Sequence, residues 1–119
     1  MKPTELFQRK QSTAEKKHSA EFAAVTANLQ RYLSRINAGE NPSVLKAGFV
    51  HPERVGIKAI SQQGKLGKNT RAYRLYIYPD TATNTLHLLT LGDKGTQSDD
   101  IKDCIALLKF IRKGAKPPS

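Results

Sequence analysis

One continuous stretch in the second half of this 119-residue chain constrains the fold most. Aromatic and aliphatic side chains alternate with polar ones in Arg71–Tyr78 and again in Thr85–Leu91, which is typical of two β-strands. Because Pro79–Asn84 is rich in turn-forming residues, the two strands are expected to form a hairpin. A polar turn, Gly92–Gln97, follows and leads to a helix whose N-cap is predicted at Ser98.

A long amphipathic helix is predicted before this hairpin. Its start is placed at Ser12–Glu15, which has the pattern of a capping box, and its end at Gly39, which suits a left-handed terminator. The alternative is that a second helix begins after His18, so that the helix is broken there. The apolar stripe of this helix has spacings of three and four residues: Phe22, Val25, Leu29, Leu33 and Ile36.

The order of elements predicts the fold class. Val55–Ile60 is expected to add a strand, and Ile101, Ile105, Leu108 and Ile111 mark the last helix. Helices followed by an antiparallel meander and a final helix indicate a single α+β domain over residues 1–119. The N-terminal helices should pack on one face of a small antiparallel sheet and leave the other face free. Residues 1–11 are either an edge strand or a leader, and residues 115–119 a frayed tail.

Composition limits the classes of protein. The chain has one cysteine, Cys104, so it forms no internal disulfide, and its apolar runs fall far short of the ~20 residues that span a membrane. No signal peptide is visible in the first residues, and we expect a cytoplasmic protein. His18, His51 and His87 lack metal-ligand spacing, so neither a metal site nor a cofactor is expected.

The charge is strongly basic and unevenly distributed. Twenty Lys and Arg against ten Asp and Glu give a net charge of +10. Residues 46–78 contain seven basic side chains and a single carboxylate, Glu53. Such concentration is typical of a nucleic-acid-binding surface. An acidic protein partner, or a basic surface that serves only solubility, would be compatible with the same pattern.

One place in this basic region and one turn beyond it suit a phosphate. One face of the first predicted strand is apolar, whereas the other carries Arg74 beside Tyr76 and is expected to be open. The arginine side chain matches the geometry of a phosphate, and a tyrosine ring can stack on a base. The turn after the second strand precedes a helix N-terminus, where backbone amides attract anions and Lys94 adds a charge. An ordinary solvent-facing strand and an ordinary glycine turn would also explain these residues, without any ligand.

The run Tyr73–Leu75, followed by the hairpin, by Leu89–Lys94 and by the acidic helix start, resembles the RelE/ParE toxin superfamily. The resemblance covers most of the chain and implies a RelE-like or HigB-like toxin of a type II toxin–antitoxin system. Such toxins include ribosome-dependent mRNA endonucleases that need neither metal nor cofactor. Their implied partners are the ribosome with its mRNA and a cognate antitoxin protein, without any membrane.

The resemblance also implies roles for individual residues. Arg74 matches the strand arginine that holds the scissile phosphate, and Lys94 matches the basic residue after the glycine turn, which stabilises charge or protonates the leaving oxygen. These two are the implied catalytic residues. Contacts to RNA are implied for a further set: Lys58, Lys65, Lys68, Arg71, Tyr76 and Gln97.

The chain departs from the family pattern near its last helix. Asp99, Asp100 and Ile101 stand where the family has an aromatic residue or a histidine, and no residue is marked as the general base. Two alternatives therefore remain beside the endonuclease. One is a non-enzymatic toxin of the gyrase-inhibiting ParE type, and the other is a catalytically inactive basic domain that binds nucleic acid.

Overall fold

The structure, a computed structural model, describes residues 1–62 and 71–114. Within these ranges the chain forms three helices, five strands and two short 3₁₀ turns. The helices are α1 (Glu5–Lys17), α2 (Ser19–Asn37) and α3 (Gln97–Arg112). The strands are β1 (Lys2–Pro3), β2 (Val50–Pro52), β3 (Lys58–Ser61), β4 (Tyr73–Asp80) and β5 (Thr85–Asp93). The 3₁₀ turns are Arg54–Gly56 and Lys94–Thr96.

The five strands form one sheet in the order β1-β5-β4-β3-β2. The pairs β3–β4 and β4–β5 are antiparallel, as the sequence predicts. The pair β2–β3 is antiparallel as well, whereas β1 pairs with β5 in parallel. The three central strands match the sequence prediction, and β2 is an additional strand at one edge. At the other edge, the strand expected within residues 1–11 is only Lys2–Pro3, and the residues from Glu5 onward form α1. The α+β class, the N-terminal helices and the C-terminal helix are confirmed. No helix in residues 1–62 or 71–114 combines the length and apolar character that a membrane crossing requires.

The sheet is covered on both faces, so the expectation of one free face is wrong. Leu75 and Ile77 of β4 belong to a core formed with α1 and α2, which we call the first core. Tyr76, between them, belongs to a second core formed with α3, where it meets Cys104 and Leu108. Alternate residues of a strand point to opposite faces, so the two cores lie on opposite sides of the sheet.

A β-bulge in β5 changes which residues of that strand face each core. Tyr76 pairs with Thr90 and Ile77 with Leu88, which leaves Leu89 as the extra residue. Leu89 is buried in the second core, whereas Leu88 is buried in the first. Leu91 is buried in the first core as well, so Leu89 and Leu91 face opposite sides although they are two residues apart. Strict alternation would have placed them on one face.

The start of the first helix differs from the sequence prediction. Ser12–Glu15 is not a capping box but lies inside α1, which begins at Glu5 with Thr4 as its N-cap. The break at His18, given as the alternative, is present and separates α1 from α2. Gly39 after α2 has a φ of 106°, which confirms the left-handed terminator.

The starts of β3 and α3 also differ from the sequence prediction. Val55 and Gly56 have positive φ angles of 53° and 86°, which interrupt a strand, so β3 begins at Lys58 rather than at residue 55. Helix α3 begins at Gln97 with Thr96 before it, and Ser98 lies inside its first turn. The predicted tail at residues 115–119 lies outside the described residues.

We predict that Thr4→Ala destabilises the fold by about 1–2 kcal/mol, because Thr4 joins α1 to the sheet. Its hydroxyl accepts a hydrogen bond from the Phe7 amide at 3.0 Å and donates one to the Leu89 carbonyl at 2.6 Å. Urea unfolding should show this loss for Thr4→Ala and a much smaller one for Thr4→Ser, which keeps the hydroxyl. Equal stabilities of the Ala and Ser variants would contradict the role of the hydroxyl.

Candidate functional site

Polar side chains gather on the α3-facing side of the sheet, beyond the apolar contacts of the second core. Ser61 of β3 lies opposite Arg74 of β4, and Arg74 lies opposite Gly92 of β5. His51 of β2 pairs with Ala59, two residues before Ser61, so it faces the same side. The strand register therefore brings His51, Ser61 and Arg74 together on one surface.

Glu53 completes this group, which we call the Arg74 cluster (His51, Glu53, Ser61 and Arg74). The Arg74 guanidinium lies 3.4 Å from the Glu53 carboxylate, and His51 Nε2 lies 3.1 Å from Ser61 Oγ. The Arg74 side chain is 23% exposed and that of Glu53 15%. The ion pair is therefore partly shielded from water, which strengthens it relative to a fully exposed pair.

The imidazole of His51 is tuned towards its neutral form. Burial lowers the pKa of His51, and the positive charge of Arg74 lowers it further, while the carboxylate of Glu53 acts in the opposite direction. The net result is a pKa below the ordinary value of 6.5. At neutral pH this side chain is a neutral imidazole, which is able to accept a proton.

A strained turn holds Glu53 at this position. The Glu53 amide donates to the Ile57 carbonyl at 2.8 Å, which closes the turn containing the left-handed Val55. A positive φ is costly for a β-branched residue, so the surrounding contacts must enforce it. One of these contacts comes from α3, where the Arg112 guanidinium donates to the Val55 carbonyl at 3.0 Å.

Lys94 lies at the start of a second turn, next to the same end of the sheet. It follows Gly92, the β5 partner of Arg74, by two residues, and it is exposed. Asp93 fixes the turn, because its carboxylate accepts from the Thr96 amide at 3.2 Å. Gln97, half-buried, begins α3 directly afterwards. The structure thus places Arg74 and Lys94 on adjoining segments, whereas their roles in RNA cleavage remain predictions.

Two of the implied RNA-binding residues belong to the opposite side of the sheet. Arg71 pairs with the Asp93 carboxylate at 3.0 Å, and its amide donates to Glu21 of α2 at 3.2 Å. Lys58 donates to the Ser43 carbonyl at 2.9 Å, in the segment that follows α2. Burial lowers the pKa of Lys58. The sheet therefore separates both residues from the Arg74 cluster.

Tyr76 is not available for stacking on a base, so the expectation of an open strand face is wrong. Its ring is fully buried against α3, and burial raises the pKa of its hydroxyl strongly. The pattern of β4 alone does not show this, because it does not reveal that the apolar stripe of α3 covers that face. Lys65 and Lys68, also implied to bind RNA, lie outside the described residues.

His51, Glu53 and Ser61 were not recognised as site residues in the sequence. Each lies in a short or irregular segment, and only the pairing of β2 with β3 and of β3 with β4 brings them to Arg74. One signal was available. Glu53 is the single carboxylate in the basic region 46–78, and an isolated opposite charge among cations is a candidate ion-pair partner.

A cleft lies away from the Arg74 cluster. It has a volume of about 670 Å³ and lies between β1, the hairpin turn and the end of α3, with His87 and Asp80 in its lining, and neither Arg74 nor Lys94 lines it. Among the residues that the structure describes, no three His, Cys, Asp or Glu side chains are grouped so that they could hold a metal ion.

The chain matches no protein-family model, no curated protein and no solved structure. Its function must therefore be inferred from the geometry of the Arg74 cluster and the Lys94 turn.

We predict that the pKa of His51 responds with opposite sign to its two charged neighbours. Arg74→Gln removes a positive charge and should raise the pKa of His51, whereas Glu53→Gln removes a negative charge and should lower it. Titration of the imidazole resonances by NMR measures both shifts. His87, whose pKa depends instead on burial, Asp80 and Lys2, is the internal control and should not change. If both variants shifted the pKa of His51 in the same direction, the placement of His51 between the charges of Arg74 and Glu53 would be contradicted.

Proposed function

We propose that this protein is the toxin of a toxin–antitoxin pair and acts as a ribosome-dependent mRNA endonuclease that needs no metal ion. The observation that carries the proposal is the Arg74 cluster, in which a partly shielded guanidinium lies beside a carboxylate and a neutral imidazole. A cation that binds phosphate, next to a group that accepts a proton, is what cleavage of RNA by its own 2′-hydroxyl requires.

The proposed reaction is an internal transfer. The ribose 2′-oxygen attacks the adjacent phosphorus, the bond from phosphorus to the 5′-oxygen breaks, and a 2′,3′-cyclic phosphate and a 5′-hydroxyl result. A proton leaves the 2′-hydroxyl, and another is supplied to the departing 5′-oxygen. The enzyme has to position the phosphate, stabilise its added negative charge and handle these two protons.

We assign the proton acceptor to His51. Burial and the positive charge of Arg74 lower its pKa below the ordinary 6.5, which favours the neutral, proton-accepting imidazole at pH 7. The Ser61 hydroxyl, 3.1 Å from Nε2, orients the ring. Glu53 has a different role, because its ion pair with Arg74 holds the guanidinium in place.

Arg74 and Lys94 supply the positive charge. Arg74 binds the scissile phosphate, whose charge increases in the transition state, so a fixed guanidinium stabilises that state most. Lys94 is exposed on the turn that follows the β5 partner of Arg74, which suits a role at the leaving 5′-oxygen. The overall charge of +10 favours association with the ribosome and its mRNA.

The biological setting is part of the proposal. A ribosome-dependent nuclease acts in the cytoplasm, and a toxin of this kind requires a cognate antitoxin to keep it inactive. Inhibition of DNA gyrase, and binding of nucleic acid without cleavage, are the other outcomes that experiments on the purified protein have to separate. Neither of them requires a neutral imidazole beside the arginine.

We predict that Arg74→Gln lowers the rate of cleavage of ribosome-bound mRNA by about 100-fold or more, because a group that stabilises the transition state is lost. The assay uses purified protein, ribosomes programmed with a defined mRNA, and primer extension to detect the cuts. Arg9→Gln is the matched control, since it makes the same change of charge at an exposed position of α1.

Equal losses in both variants would show that only overall charge matters. Intact mRNA together with growth arrest by the wild-type protein would refute the nuclease. In that case a DNA-damage response would indicate a gyrase inhibitor.

We predict an acid limb in the pH–rate profile that belongs to His51. The imidazole must be neutral to accept the proton, so kcat should fall tenfold per pH unit below the His51 pKa, which lies under 6.5. His51→Gln should lower kcat about 100-fold or more and abolish this limb. A variant that keeps the limb would exclude His51 as the proton acceptor.

A further inference from the structure

A partly buried ion pair between Lys10 and Asp100 links α1 to the start of α3, next to the Lys94 turn. We propose that Asp100 is a positioning residue, which sets the Lys94 turn against the strand position opposite Arg74. The inference rests on the proposed function for its catalytic consequence, but its structural content can be tested separately. Asp100 itself is 1% exposed and therefore does not touch the RNA.

Both oxygens of the Asp100 carboxylate are occupied by partners on other segments. Lys10 of α1 pairs with Oδ1 at 2.7 Å, and the Thr96 hydroxyl donates to Oδ2 at 2.7 Å. The Thr96 hydroxyl lies farther from the Asp93 carbonyl, at 3.2 Å, so Asp100 is its closer acceptor. One carboxylate thus connects α1, α3 and the 3₁₀ turn that Lys94 begins.

The same carboxylate packs on the backbone of β5. A Cβ atom added at Gly92 would overlap Asp100 Oδ2 and would lie 2.7 Å from Thr96 Oγ1. Gly92 is required here because of this close approach and not because of a left-handed backbone. Since Gly92 is the register partner of Arg74, Asp100 contacts both the end of the strand pair and the turn that follows it.

Comparison with the neighbouring Asp99 shows that Asp100 does more than place a favourable negative charge at the N-terminus of α3. Asp99 occupies the same first turn of α3 but is exposed, so it serves the helix dipole equally well from solvent. Burial of Asp100 is costly unless partners compensate the charge, and Lys10 provides that compensation from a distant part of the sequence. The buried carboxylate therefore has a structural task that Asp99 does not share.

A positioning role and a purely stabilising role make different predictions. If Asp100 only stabilised the fold, folded variants would keep the wild-type kcat. If it positions the Lys94 turn, variants that remain folded should lose kcat while KM stays unchanged, since misplacement of a catalytic group by ~1 Å costs on the order of 100-fold. The Thr96 hydroxyl allows this test at an exposed residue, without removing the buried charge.

The decisive experiment compares Thr96→Val with Thr96→Ser in the ribosome-bound mRNA cleavage assay. Val has nearly the shape of Thr but cannot donate to Asp100, so we expect kcat to fall about 10–100-fold with KM unchanged. Ser keeps the hydroxyl and should retain wild-type activity. Asp100→Asn should resemble Thr96→Val, whereas Asp99→Asn, its exposed neighbour, should resemble wild type. Full kcat in Thr96→Val would overturn the proposal, and so would equal impairment of the Val and Ser variants.

A second measurement does not depend on catalysis. In ¹H–¹⁵N spectra of the free protein, the amides of Gly92 and Lys94, which are not adjacent to residue 96, should shift in Thr96→Val and Asp100→Asn but not in Thr96→Ser or Asp99→Asn. If the wild-type protein cleaves no mRNA, the proposed function fails, and these shifts still decide whether Asp100 positions the turn. Unchanged Gly92 and Lys94 amides in Thr96→Val would overturn the positioning role whatever the activity.

Discussion

The burial of β4 on both faces is the constraint on which the rest of the structure depends. Alternate residues of this strand enter two separate cores, one formed with α1 and α2 and the other with α3. Burial of apolar surface is the main stabilising contribution in a domain of this size, and here it requires helices on both sides of one sheet. The bulge in β5 changes which of its residues enter each core: Leu89 lies in the second core and Leu91 in the first, although they are two residues apart.

The candidate site forms where the second core ends. Tyr76 fills the space under α3, and two residues earlier on the same face Arg74 lies beyond the apolar contacts and meets Glu53. Partial shielding at this margin gives the ion pair its strength and lowers the pKa of His51. An arginine in the middle of the core would lack access to a phosphate, and one on an open surface would be screened by water. The margin of a core provides both access and a fixed geometry.

The chain also joins distant segments close to this site. Arg112 at the end of α3 holds the turn that presents Glu53, and Asp100 at the beginning of α3 holds the turn that presents Lys94. Lys94, and Arg74 through its ion pair with Glu53, therefore depend on the position of one helix. Lys10 extends this dependence to α1, which is itself attached to β5 through Thr4. Elements that carry no proposed catalytic residue thereby determine the geometry of those that do.

The sequence by itself determined the elements whose signal is local. Period-two alternation identified β4 and β5, three-four spacing identified α2 and α3, and the positive φ at Gly39 was expected from its place after a helix. These features depend on neighbours a few residues apart, so the order of the main elements and the α+β class could be predicted. Arg74 and Lys94 were identified as candidates for the same reason, from the short motifs around them.

Only the tertiary structure decided which side chains share a surface. The covering of the second sheet face by α3 buried Tyr76, and strand register brought His51 to Arg74 while it placed Arg71 on the opposite side. The ion pair between Lys10 and Asp100 joins residues 90 positions apart, and no local pattern indicates it. Pairing over such distances depends on how helices and strands pack as a whole, because one residue of register or one bulge exchanges the two faces of a strand.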